Sequence, residues 1–211
     1  MIEIKNVTKR YGKRLIFDDI NATFENGKKI WIKGVNGSGK NVLLKMISGY
    51  AFCDQGTITV DGKVIGKDVD FIPDAGIFIN APEFIGNDTG MDNLMELAKI
   101  RHVASQQDIE KLAEALGLKE LDQKYRTYSL GMRQKMRLIQ ALMDKPRYLI
   151  LDEPFDALDA TARIKATDLL NEFMMKDKDR TMIYASHETT TEFLHDVAYE
   201  IDDNKLIQRK E

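Results

Sequence analysis

The sequence predicts an α/β domain built on a mostly parallel sheet. Strand-like and helix-like segments alternate along most of its 211 residues, the pattern of repeated βα units. A glycine-rich turn, Gly34 to Lys40, sits between a short apolar strand and a helix. A third observation is the helical, charge-rich block from about 81 to 143, which reads as an insertion in that alternation.

Taken in order, Ile2 to Val7 alternates apolar and polar residues as a half-buried strand does, and Leu15 to Phe24 does so less cleanly. Asn26-Gly27 marks a turn before the apolar strand Lys29 to Lys33. Val42 to Ser48 follows the glycine turn as a helix that Gly49 stops. Thr57–Val60 and Lys63–Ile65 flank Asp61-Gly62 as a hairpin. Gly76 to Ile79 is a short buried strand ending at Asn80-Ala81-Pro82. Met91 to about Leu121 is helical with Gly117 as its break, and Leu130 to Met143 is a further helix. Tyr148 to Leu151 is a wholly apolar strand. Thr161–Met175 is helical, Thr181–Ala185 a strand, Thr189–Leu194 a short helix, and Ala198–Ile201 with Lys205–Gln208 a closing hairpin.

Composition narrows the function classes. With 43% hydrophobic and 31% charged residues the chain is of ordinary globular type, and residues 1–211 are expected to form a single domain. A formal charge of −3 leaves no electrostatic footprint for nucleic acid. Cys53 is the only cysteine, so no intrachain disulfide can form and a reducing, cytoplasmic setting is expected. The N-terminus lacks the apolar core of a signal peptide, and no run of 18 apolar residues occurs. A role at a membrane would therefore need a partner.

The chemistry is concentrated in a few short motifs. Gly34, Gly39 and Lys40 satisfy the first seven positions of G-x-x-x-x-G-K-[ST], a loop whose amides and lysine cradle phosphates. Asn41 fills the eighth position, where a hydroxyl normally ligates Mg²⁺. Asp152-Glu153 ends the apolar strand; one carboxylate there can organise a cation and the next can polarise a water. Ser129 and Gly131, in Y-S-L-G-M-R-Q at a helix start, can offer a hydroxyl and amides to an anion. Ala157-Leu158-Asp159, His187 at a strand's carboxyl end and the aromatic Tyr11 before a turn complete the set. Singly, each has an ordinary explanation: a charged loop start, a serine cap, a helix-start aspartate, a structural histidine, a surface tyrosine.

Six such elements in this order resemble the ATP-binding cassette of ABC transporters along essentially the whole chain. The resemblance implies a P-loop NTPase fold with a mostly parallel sheet core, an N-terminal antiparallel β subdomain and an inserted helical subdomain. It implies ATP and Mg²⁺ as cofactors. Tyr11 would stack on the base, and Gly34, Val35, Asn36, Gly37, Ser38, Gly39, Lys40, Asn41 and Val42 would hold the phosphates. Asn41, Asn80 and Asp152 would face the metal, with Glu153 as general base and His187 as γ-phosphate sensor. Ser129 and Gly131 would reach the nucleotide of a second cassette, since two cassettes of this family pack head to tail. Separate transmembrane permease subunits are implied as partners, placing the chain peripherally on the cytoplasmic face of the cell membrane. The form Y-S-L-G-M-R-Q is similar to that of bacitracin- and lantibiotic-type exporters.

Departures from the family pattern gather around metal and phosphate: Asn41, Val42, Asn80 in place of a longer glutamine, and Leu130 in place of a glycine. They leave two expectations open. One is an ATPase of low rate; the other is a nucleotide-gated module whose partner cassette hydrolyses ATP.

Overall fold

The alternating strand pattern is realised in the burial of the central strands. In the computed structural model, which describes residues 1–80, 83–187 and 195–209, β7 (Tyr148–Asp152) buries its four apolar residues and β8 (Thr181–Ser186) buries all six. Burial on both faces is what a parallel sheet covered by helices requires. With β3 (Lys29–Lys33), β6 (Ala75–Phe78), β9 (Val197–Asp202) and β10 (Lys205–Arg209) they form a six-stranded sheet of order β10-β9-β3-β8-β7-β6. The four pairings from β9 to β6 are parallel, and only β10 runs antiparallel, against β9.

Successive residues on these strands serve two different cores. Ile30, Ile32, Tyr148, Ile150, Ile183 and Ala185 face one apolar cluster, whereas Trp31, Leu149, Leu151, Met182 and Tyr184 face the other. That is the two-residue period of a pleated strand. The first cluster is completed by α1 (Lys40–Ser48) and by an antiparallel sheet of order β2-β1-β4-β5. The small sheet comprises β1 (Ile2–Tyr11), β2 (Arg14–Phe24), β4 (Gln55–Val60) and β5 (Lys63–Val64). Its first strand buries Ile2, Ile4 and then Val7. The skipped beat has a cause: Asn6, at φ 51°, sits in a register shift, and its N–H bonds the Asn21 side chain at 2.8 Å. A bulge of this kind moves later side chains to the opposite face.

The second cluster is made by four helices: α2 (Gly90–Arg101), α3 (Gln106–Leu116), α4 (Leu130–Leu142) and α5 (Ala160–Met175). Here the structure corrects the helical reading of 91–121. A further break falls at 102–105, ahead of Gly117, because His102 ends α2 in the left-handed region and Ser105 starts a new helix. Both helix starts carry reciprocal capping boxes, Thr89 with Asp92 and Ser105 with Asp108. Gly117, in the left-handed region, ends α3 as expected. The hairpin residue Ile65 also falls outside β5 and makes an isolated bridge to Val69. The short helix expected at 189–194, like Ala81 and Pro82, lies outside the described residues.

Asp108 illustrates how a cap couples to pH. Hydrogen bonds from the Ser105 hydroxyl (2.5 Å), Lys145 and the Ser105 backbone hold its carboxyl below the usual carboxylate range. A depressed acid stabilises the fold above its unfolded pKa of about 3.9, and that contribution is lost as pH falls through the lower folded value. Asp108→Ala is expected to cost about 1 kcal/mol at pH 7. Urea melts of variant and wild type should converge as pH drops below about 4; a gap that stayed constant would contradict the ionic origin.

Candidate functional site

Parallel strands deliver their carboxyl ends to one edge of the sheet, and the chemistry is there. Lys33 pairs with Ser186, Asp152 with Ala185, and Phe78 with Leu151, so β3, β8, β7 and β6 end side by side. The glycine loop follows β3, Asn80 follows β6, Glu153 follows β7 and His187 follows β8. Ligand sites at the carboxyl ends of an open α/β sheet follow from this geometry.

The loop turns directly into α1. Gly39 precedes the helix at φ 114°, a region side chains avoid. A Cβ there would also meet Ile16 Cγ2 at 2.9 Å and Phe17 Cζ at 3.0 Å, so the loop depends on a strand of the small sheet. Lys40, at 7% exposure, donates to the Gly34 carbonyl at 2.7 Å and faces Glu153 Oε1 at 3.5 Å. The first amides of α1 have no acceptor inside the helix, and the helix dipole adds positive potential beside the lysine. Arg14 reaches across from β2 to the Gly37 carbonyl at 2.8 Å. Nothing in the local sequence around Arg14 marks that role; only the packing of β2 on the loop does.

Opposite the lysine stand two carboxylates with different surroundings. Glu153 follows β7 in the left-handed region, φ 49°. Its Oε2 meets His187 Nδ1 at 3.1 Å, and Gln134 of α4 donates to its backbone carbonyl at 2.9 Å. Asp156 brings a further carboxylate to Glu153 and His187, with ligand atoms within 4.8 Å of one another. Gln134 and Asp156 were not among the predicted site residues. Gln134 lies in the motif that marks the start of α4, so a signal for it existed.

Asp152 is partly buried, and burial pushes its carboxyl above the usual range. Hydrogen bonds from the Asn41 side chain and the Asn80 backbone oppose that rise, as does Lys40, while the neighbouring Glu153 charge adds to it. Asn41 Nδ2 donates to Asp152 Oδ2 at 2.8 Å and also to Asn80 Oδ1. Asn41, Asn80 and Asp152 therefore do converge. Their side-chain oxygens are the hard donors a Mg²⁺ ion takes, so the residues fit such an ion in kind once the Asn41 amide presents its oxygen.

A cleft of about 430 Å³ runs between these groups, lined by Tyr11, Arg14, Ile16, Val35, Asn36, Gly37, Gly39, Lys40, Asn41, Val42, Asp152 and Glu153. Tyr11, half exposed, forms part of its wall, with Lys9 Nζ 4.9 Å from its ring centre. Ser129 and Gly131 do not line it. Ser129 caps α4 by accepting from the Met132 N–H at 3.2 Å, and Leu130 beside it is 71% exposed. Gly131 packs on the turn after Glu153, where a Cβ would come within 3.0 Å of the Ala157 carbonyl oxygen. A second groove, about 800 Å³, is bordered by Asn80, Phe84, Ile85, Tyr50 and Leu97 between the helices and the sheet edge.

A profile of the ABC transporter family matches residues 17–156, a span that includes the glycine loop, the α4 motif and the acidic pair. The chain belongs to the ABC transporter ATP-binding family. An uncharacterised ABC transporter ATP-binding protein of Bacillus subtilis (strain 168) is 34% identical over 210 residues, 98% of this chain and 94% of that protein. A bacitracin transport ATP-binding protein of Enterococcus faecalis is 34% identical, with 89% of this chain matched; the match spans 61% of that relative's length. A lantibiotic transport ATP-binding protein of Streptococcus pyogenes is 30% identical over all of this chain and 91% of its own length. Among solved structures, a dimeric ATP-binding cassette with ADP and phosphate superposes with a TM-score of 0.85 at 21% identity, covering 100% of this chain and 98% of that one. At that identity the likeness speaks to the fold, and it agrees with the predicted cassette architecture. Among the described residues of this cassette no helix is long and apolar enough to cross a membrane.

Proposed function

We propose that this cassette is the ATP-hydrolysing subunit of an exporter-type ABC transporter, turning over slowly. The observation that carries the reading is the convergence of Lys40, Asp152 and Glu153 on one cleft beside the N-terminus of α1, with His187 on the Glu153 carboxylate. The loop amides and Lys40 bind the β- and γ-phosphates, and Tyr11 supports the base. Glu153 takes a proton from water as its oxygen bonds to the γ-phosphorus; the bond to the bridging oxygen breaks, giving ADP and phosphate. His187, hydrogen-bonded to Glu153, holds that carboxylate and senses the γ-phosphate. Asp152, with Asn41 and Asn80, would hold Mg²⁺, which would supply positive charge toward the phosphates.

The low rate follows from which atoms are changed. The phosphate amides and the lysine are unaltered, so binding is retained. Losing one preorganised contact at a transition state costs roughly 10²–10³ in rate, and Asn41 and Asn80 both bear on the metal. Asn41→Ser is expected to raise turnover about tenfold while ATP affinity stays within about threefold. Steady-state phosphate release and equilibrium ATP titration check this; equal turnover in the two proteins would show the asparagine to be a competent ligand.

Export rests on the bacitracin and lantibiotic relatives, as do separate permease subunits. The largely apolar groove around Phe84 and Ile85, with Ile85 61% exposed, supports docking of such a subunit there. The exposure of Ser129 and half-exposure of Gly131, outside this chain's own cleft, support a role for them toward a second cassette. The chain then acts as a dimer on the cytoplasmic face of the membrane. A second reading, in which a partner cassette does the hydrolysis, draws support from the orientation of the Asn41 amide.

A further inference from the structure

Three segments far apart in sequence meet at one side chain. Asn41 lies in the first turn of α1, Asn80 follows β6, and Asp152 ends β7. Asn41 Nδ2 donates to Asp152 Oδ2 at 2.8 Å and to Asn80 Oδ1. Both N–H bonds of one amide are thus used, on two oxygens of the set that suits a cation. Asp152 also receives a hydrogen bond from the Asn80 backbone, and Asn80 is held at φ 58°.

A serine or threonine at position 41 could not do this, since a hydroxyl carries one hydrogen and can donate to one of the two oxygens only. The asparagine draws a carboxylate and an amide oxygen together through its own two hydrogens. Turning the amide over would bring its oxygen against the other two. Three oxygens with no hydrogen between them repel, and a cation among them is what makes the arrangement favourable.

We propose that the Asn41 amide stands in for the divalent cation in this cassette. It holds Asp152 and the Asn80 segment in place from within the chain, so the loop takes up ATP with or without a divalent ion. An ion enters only by turning the amide over and displacing its two hydrogen bonds. The proposal deepens, and rests on, the reading of the cleft as an ATP site. It makes divalent-ion dependence a property of turnover and removes it from binding and from the stability of the folded site.

The test compares wild type, Asn41→Asp and Asn41→Ser in MgCl₂ and in EDTA. Asparagine and aspartate have the same shape, but the aspartate cannot donate and places a second negative charge beside Asp152. Without nucleotide, the wild-type melting temperature should differ by less than about 1 °C between the two buffers. Asn41→Asp should melt lower than wild type in EDTA and gain at least about 3 °C in MgCl₂. By calorimetry, wild-type ATP affinity in the two buffers should agree within about threefold. A wild-type melting gain equal to that of Asn41→Asp overturns the proposal, as does a larger loss of wild-type ATP affinity in EDTA. Should Asn41→Asp not fold, Asn41→Ser replaces it, with a melting gain in MgCl₂ larger than the wild-type change expected and an equal one overturning the proposal. Absence of ATP binding in both buffers refutes the ATP reading itself, a result distinct from binding that requires the ion.

Discussion

Glu153→Gln is expected to lower Mg²⁺-dependent phosphate release by about 10²–10⁴-fold, the range for loss of a positioned general base. The substitution keeps size and the left-handed turn at residue 153, but an amide cannot take the proton from the attacking water. ATP affinity should be unchanged or modestly higher. Glu153 Oε1 lies 3.5 Å from the Lys40 ammonium, with its side chain 21% exposed. Removing that carboxylate frees the lysine for phosphate and takes a negative charge away from the site of a triphosphate. Single-turnover assays with saturating ATP separate the two effects. Equal rates in variant and wild type would sink the catalytic assignment of Glu153. If instead the assembled transporter keeps its full rate with the variant, a partner cassette is doing the hydrolysis.

Gly76→Ala should be the most damaging of the single-methyl additions to the fold, lowering the melting temperature by roughly 10 °C. Gly76 lies on β6, paired with Leu149 of β7. A Cβ there would overlap the Ala141 carbonyl oxygen of α4 and come within 2.8 Å of Pro146 Cγ. The obstacle is helix backbone, which cannot rotate aside, so the cost lies at or beyond the usual 1–3 kcal/mol of overpacking. At about 2–4 °C per kcal/mol for a chain of this size, that is the expected shift. The other end of α4 carries Gln134, which holds the Glu153 carbonyl. Displacing the helix should therefore reduce turnover as well as stability. Gly86→Ala, whose Cβ would meet only Arg126 Cβ at an ordinary 3.5 Å, is the control and should stay within about 0.5 kcal/mol of wild type. Equal melting of the two variants would refute the close-approach argument.

The parts of the molecule legible in the sequence are those where a short-range rule acts alone. Tyr148 to Leu151 and Thr181 to Ala185 read as buried strands because both faces are apolar. The glycine loop reads as a phosphate site because its spacing is local. The hairpin at 198–208 was also visible, from Asp203-Asn204, both at positive φ. The helix break at 102–105 was missed because helical periodicity continues across it. Its sequence signal was the Ser105–Asp108 capping box; the left-handed turn at His102 carries none, because glycine usually marks that conformation. The tail of β1 beyond Val7 was missed because the bulge at Asn6 shifts the alternation.

Legible along the chain are a glycine loop of phosphate-binding spacing between strand and helix, a carboxylate pair where one buried strand ends, and an asparagine after the loop lysine. Local spacing is enough for each, since the atoms involved lie within a few residues of one another. Which atom of Asn41 faces Asp152, and that Asn80 shares it, was decided only by the tertiary structure. Residues 41, 80 and 152 come from three segments whose meeting depends on the order of β3, β8, β7 and β6. An amide turns its nitrogen or its oxygen according to what surrounds it, and here two oxygens face it.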